Sequence, residues 1–144
     1  MEPRAFLKLA KQLLVQDEDE AALRSSVSRS YYALFNLMAK FVVDNIERLP
    51  KIATDHETIR RYFNNCMMPE VKELASNLND LRGDRNDSDY DLKSNRFQDP
   101  FIVNLIFKKA EITFNSFERI TTKKENKERI VSDIQAYKRK FTHH

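Results

Sequence analysis

Glycine occurs once in this 144-residue chain, cysteine once and tryptophan not at all. Proline occurs four times and histidine three times. One glycine excludes the glycine-rich phosphate loops G-x-x-x-x-G-K-[ST] and G-x-G-x-x-G. The shortage of turn residues also argues against an all-β protein. A lone Cys66 forms no internal disulfide and fits a reducing compartment. A zinc site needs more than Cys66, His56 and the two terminal histidines offer, and His56-Glu57 has no second histidine to complete H-E-x-x-H. His143 and His144 read as a tag remnant and receive no function. No apolar run nears the roughly 18 residues that span a bilayer. No basic leader followed by an unbroken apolar stretch is visible at the N-terminus. The expectation is a cytoplasmic protein with no membrane contact, no metal and no cofactor.

What is present favours helix. The chain is 41% hydrophobic and 33% charged, a balance that suits a folded chain. The size suits a single domain over 1–144. A net charge of +3 permits a nucleic-acid partner without demanding one.

The four prolines divide the chain into periodic segments, because proline suits a first helical turn and breaks an interior. The first, about 3–16, has Phe6, Leu9, Ala10, Leu13 and Leu14 at helical spacing. The acidic "DEDE" at 17–20 suits the start of a second helix, about 18–48. Its stripe is Leu23, Val27, Tyr31, Leu34, Met38, Phe41, Val42 and Ile46. Thr54 with Glu57 predicts a capping box that opens a short helix over about 55–66. Pro69 opens a fourth helix with Val71, Leu74, Leu78 and Leu81 on one face. Residues 91–99 have no clean period and read as a loop. Asp99-Pro100 reads as an N-cap and first-turn pair for a fifth helix, about 100–121, with Val103, Phe107, Ala110, Phe114 and Phe117 inward. Thr122 with Glu125 predicts a second capping box before a last helix, about 123–140. That helix places Ile130, Ile134, Tyr137 and Phe141 on one face. The fold class is all-α, an up-and-down bundle of five to six helices.

Two clusters stand out. The first is "LNDLRGDRNDSDYD", residues 78–91. Asp87, Asp89 and Asp91 begin like a calcium loop, but Leu92 and Gln98 occupy its glycine and glutamate positions. On a helical wheel Arg85 falls near the middle of the apolar stripe of Leu74, Leu78 and Leu81, and Asp89 near its edge. A guanidinium on such a stripe is paired, or it meets a ligand or second subunit. The plain reading is an Arg85–Asp89 ion pair at i, i+4. Tyr90 falls on the opposite side and reaches Arg85 only if the helix loosens after Gly83. The second cluster is "RSSVSRSYYALF", residues 24–35. Arg29, Tyr32, Ala33 and Asn36 share a stripe beside the apolar one. The serines lower helix propensity and let another helix approach closely.

Together, "SRSYYALFN" (28–36), His56 at the start of the third helix and "RNDSDY" (85–90) resemble the HEPN superfamily, in its small stand-alone prokaryotic branch. The signatures there are S-R-x-Y-Y-A-x-F, matched fully, and R-x-x-A-D-Y, matched with Ser88 for alanine. The resemblance covers roughly residues 3–120, with the 123–141 helix at the variable end. It implies a bundle that forms a homodimer with the fourth-helix motif near the two-fold axis. Catalytic relatives are metal-independent ribonucleases with an arginine followed four to six residues later by histidine. Neither Arg82 nor Arg85 is followed by a histidine at such a spacing, which predicts that the standard ribonuclease activity is missing.

What the resemblance implies instead is a module that binds RNA, a nucleotide or a partner protein in a toxin–antitoxin or antiviral defence system. A nucleotidyltransferase-like antitoxin is one such partner. Arg85 is expected to contact an anion with Asp89 as its tether, and Arg29, Tyr32, Arg82 and His56 to line the site. Two alternatives remain open. One is an active ribonuclease in which Tyr90, or His56 from another helix, replaces the histidine. The other is a structural dimer with Arg85 and Asp89 paired across the axis.

Overall fold

Proline opens three of the six α-helices in a computed structural model of the chain, in which residues 1–16 and 19–142 are described. The helices are α1 (Pro3–Gln16), α2 (Glu20–Asn45), α3 (Asp55–Asn64), α4 (Pro69–Tyr90), α5 (Pro100–Thr122) and α6 (Lys124–Thr142). Pro3, Pro69 and Pro100 occupy first positions, where the missing N–H has no intrahelical partner to lose. Pro50 lies between α2 and α3. The described residues contain no strand, and the fold class is an all-α helical bundle. A short 3₁₀ turn, Arg96–Gln98, lies within the expected loop. Among the described residues no helix is long and apolar enough to cross a membrane. Asp17, Glu18, His143 and His144 lie outside the described residues.

Two units divide these helices. The first comprises Met1–Leu37 and Asn77–Phe114. Its core is built from Leu7, Ala10, Leu23, Val27, Tyr31, Leu34, Leu78, Leu81, Phe97 and Phe107, all buried. Ser26, Ser28 and Ser30 are buried as well. The Ser26 hydroxyl donates to the Ala10 carbonyl of α1 at 2.7 Å, so small side chains let α1 and α2 touch, as their spacing predicts.

The second unit comprises Met38–Ser76 and Asn115–His144. Phe41, Phe63 and Phe117 meet in three tilted or edge-to-face pairs with centroids 5.4–5.8 Å apart. Such pairs add about 0.5–1.5 kcal/mol each beyond area burial. Ile130 and Ile134 of α6 are buried, and Tyr137 meets Tyr62 of α3 edge-to-face and Phe141 at a tilt.

The capping expectations divide. Asp99 caps α5, accepting from the Phe101 N–H at 2.9 Å, and Asp19 caps α2, accepting from the Ala22 N–H at 2.7 Å. Neither capping box forms. Thr54 has a helical backbone, φ −78° and ψ −7°, and makes no side-chain cap. Glu57 instead takes Arg60 and Arg61, and the Arg60 hydrogen bond holds its carboxyl below the usual range. Thr122 belongs to α5, and its hydroxyl donates back to the Glu118 carbonyl at 2.6 Å.

Candidate anion site

The site lies in the first unit, where α4 runs unbroken through Gly83 to Tyr90. Leu78 and Leu81 are buried, and one turn beyond them the Arg85 side chain is 21% exposed. Its Nε stands 2.9 Å from Asp89 Oδ2, the i, i+4 pair that the spacing predicts. That N–H is not aimed at the oxygen, so the pair is made by charge and proximity, without a hydrogen bond. Nη1 donates to Asn86 Oδ1 at 3.1 Å. No hydrogen bond occupies Nη2 among the described residues.

Two rings flank this guanidinium. Its carbon lies 5.2 Å from the Tyr32 centroid and 5.6 Å from that of Tyr90. Each contact contributes roughly 0.5–1 kcal/mol near a surface. Tyr90 therefore reaches Arg85 although the helix does not loosen, which corrects the wheel-based expectation. Both side chains are long, and helical side chains lean towards the N-terminus, which carries the ring back over the preceding turn. Tyr90 remains 73% exposed.

Ser88 is buried, and its hydroxyl donates to the Arg85 carbonyl at 2.9 Å. A small side chain thus sits inside with its polar atom satisfied. Tyr31, buried on α2, feels Arg82 and Arg85. Burial pushes its phenol well above the ordinary value, against the opposing pull of those two charges. Arg29 and Arg82 are half-buried and make no ion pair among the described residues.

His56 stands in the second unit, buried at the start of α3 beside buried Asp55. The described residues hold no group of three or more His, Cys, Asp or Glu placed for a metal ion.

Four participants were not singled out from the sequence. Arg24 of α2 is 9% exposed and hydrogen-bonds to several main-chain carbonyls. Its Nη1 donates to the Ser88 and Asp91 carbonyls at 2.8 and 3.0 Å, and its Nη2 to the Ser94 carbonyl at 2.9 Å. It thereby closes the C-terminus of α4, where carbonyls lack helical partners. Phe97 is fully buried beneath it, with the Arg24 and Arg96 guanidinium carbons each 5.1 Å from the ring centroid. Arg96 pairs with Asp84 at 2.8 Å and Asp87 at 3.3 Å. Asn86 is the fourth, holding Arg85 through its amide oxygen. A signal for Arg24 existed in its register: it continues the stripe of Val27, Tyr31 and Leu34.

No family model, curated protein or solved structure matches the chain.

Proposed function

We propose that this chain is a HEPN-like module that binds single-stranded RNA, or a nucleotide from it, through Arg85 and does not cleave it. The observation that carries the reading is Arg85 itself: a guanidinium held between two tyrosine rings, with Nη2 left to donate. Arginine forks suit phosphate, and aromatic rings suit unpaired bases. Arg29 and Arg82 add charge that no carboxylate takes among the described residues. The hydroxyls beside Arg85 are phenols, and burial moves that of Tyr31 further from neutrality. Such groups are poorly matched to acid–base work near pH 7, which supports binding without cutting.

The exposed apolar face of α5, with Phe101, Leu105 and Ile112, supports a second subunit or cognate partner in this reading. The biological setting is a prokaryotic toxin–antitoxin or defence pair, as the motif resemblance implies.

Fluorescence anisotropy of a labelled RNA hexamer, in chelator and across a salt series, tests the proposal. Binding should weaken as salt rises, and Arg85→Ala should cut affinity about tenfold and lower the salt slope by about one. A denaturing gel should show the RNA intact. Unchanged affinity in Arg85→Ala overturns the site, and Arg85-dependent cleavage overturns the non-cutting half.

A further inference from the structure

An open depression flanks the last turn of α4, lined by Asn86, Asp87, Tyr90 and Asp91. Its rim is chemically asymmetric. The Asn86 amide oxygen is occupied by Arg85, which leaves the amide N–H₂ as the end able to donate. Asp87 is held at Oδ2 by Arg96. The Asp91 carboxylate makes no ion pair among the described residues, although its main-chain carbonyl accepts from Arg24. Tyr90 presents a mostly exposed ring beside the Arg85 guanidinium.

We propose that this depression takes an unpaired guanine base of single-stranded RNA, an inference that rests on the RNA-binding reading of Arg85. Guanine alone among the four bases places two adjacent N–H donors, at N1 and N2, beside a carbonyl acceptor at O6. A free carboxylate accepts the two donors as a fork, and an amide N–H₂ donates to O6. Asp91 and Asn86, which both line the depression, carry those groups, while the base stacks on Tyr90. Uracil turns two carbonyls towards the same groups. Adenine and cytosine offer one amino group next to a bare ring nitrogen, which a carboxylate repels. The neighbouring phosphate then meets Arg85. A basic peptide side chain is the less suitable occupant, because the Arg85 cation already adjoins the ring on which it would sit.

The test uses the full chain and five RNA hexamers: U6, and U6 with one central guanine, inosine, adenine or cytosine. Inosine lacks only the N2 amino group, so it isolates one arm of the fork. The guanine hexamer should bind about tenfold tighter than the inosine hexamer, the size of one good base contact. Asp91→Asn should erase that ratio while leaving U6 affinity within about twofold, and Tyr90→Ala should weaken all five. Circular dichroism of both variants checks that α4 is retained. Equal binding of all five, weakened about tenfold by Arg85→Ala, overturns the guanine subsite and leaves the RNA-binding reading standing. No binding of any hexamer overturns that reading instead. An Arg-Gly hexapeptide that binds with Asp91 dependence, with no guanine preference, also overturns the guanine subsite.

Discussion

Replacing the chain's single glycine should stabilise it. Gly83 lies inside α4, seven residues before its last residue, Tyr90, and is exposed. Its φ is not positive, so an L-residue adopts the same backbone without strain. A Cβ built there meets nothing within 4 Å. Packing therefore neither gains nor loses, and the helix-forming difference between glycine and alanine remains, about 0.8–1 kcal/mol in a helix interior. For a chain of this size each kcal/mol moves Tm by roughly 2–4 °C. Gly83→Ala should accordingly raise Tm by about 2–4 °C and move the urea midpoint upward with an unchanged slope. Thermal and urea unfolding followed by circular dichroism measure both. A lower or unchanged Tm refutes the reasoning, because it means that the helix is not continuous at Gly83 or that a neighbour fills the space. The same variant bears on binding. Gly83 shares the exposed face of α4 with Asp87 and Tyr90, one and two turns on, so under the proposed RNA-binding reading an RNA lying along that face would meet the added methyl. A higher Tm together with weaker RNA affinity assigns the glycine to close approach by the RNA.

Arg24→Met should cost about 3 kcal/mol, since it strands the carbonyls of Ser88, Asp91 and Ser94 at the end of α4; differential scanning calorimetry reads this as a large fall in Tm. Asp99→Ala should lose about 1 kcal/mol of cap, whereas Thr54→Ala, which removes no cap bond, should stay within about 0.5 kcal/mol; urea midpoints compare them. Burial pushes the Cys66 thiol up to about 12, so its folded pKa lies above the unfolded one. Stability from this group is complete below about pH 8.5 and falls as pH rises towards 12, by about 1.4 kcal/mol per pH unit. Urea titrations from pH 8 to 11 should show this slope reduced in Cys66→Ala, and an identical slope would contradict it.

Helix existence was legible because it depends on local chemistry. Leu74, Leu78 and Leu81 recur at helical spacing and are buried, and Pro69 and Pro100 open helices where their rings fit. Arg85–Asp89 was legible for the same reason, as both partners lie on one helix a turn apart. Arg24 was not. Apart from Glu20 one turn back, its partners are main-chain carbonyls 63 to 70 residues away, and a carbonyl has no residue type by which to find it. The serine and arginine pattern of 24–35 drew attention to Arg29, one turn further on, which makes no ion pair among the described residues. The capping boxes misled for another reason. The pattern [ST]-x-x-[DE] specifies atoms able to bond but not the backbone dihedrals that aim them, and Thr54 and Thr122 are both already helical. Tyr90 shows that a wheel projection reports Cα directions only, since the reach of two long side chains brings ring and guanidinium together across it.

The acidic residues around Arg85 look hostile to RNA until their partners are counted. Asp89 is taken by Arg85, and Asp84 and Asp87 by Arg96. The C-terminus of α4 carries a further negative partial charge from its unbonded carbonyls, and Arg24 answers that. Phe97 ties the two compensating arginines to one ring, so neutralisation of the side chains and of the helix end belongs to a single structure. What is left over around Tyr31 and Tyr32 is cationic: Arg82 and the Nη2 of Arg85. Asp91 is the exception, an acceptor without an ion pair at the rim of the depression. In the proposed RNA-binding reading its carboxylate favours a base with two N–H groups to offer, so it is the residue of this rim able to select among bases.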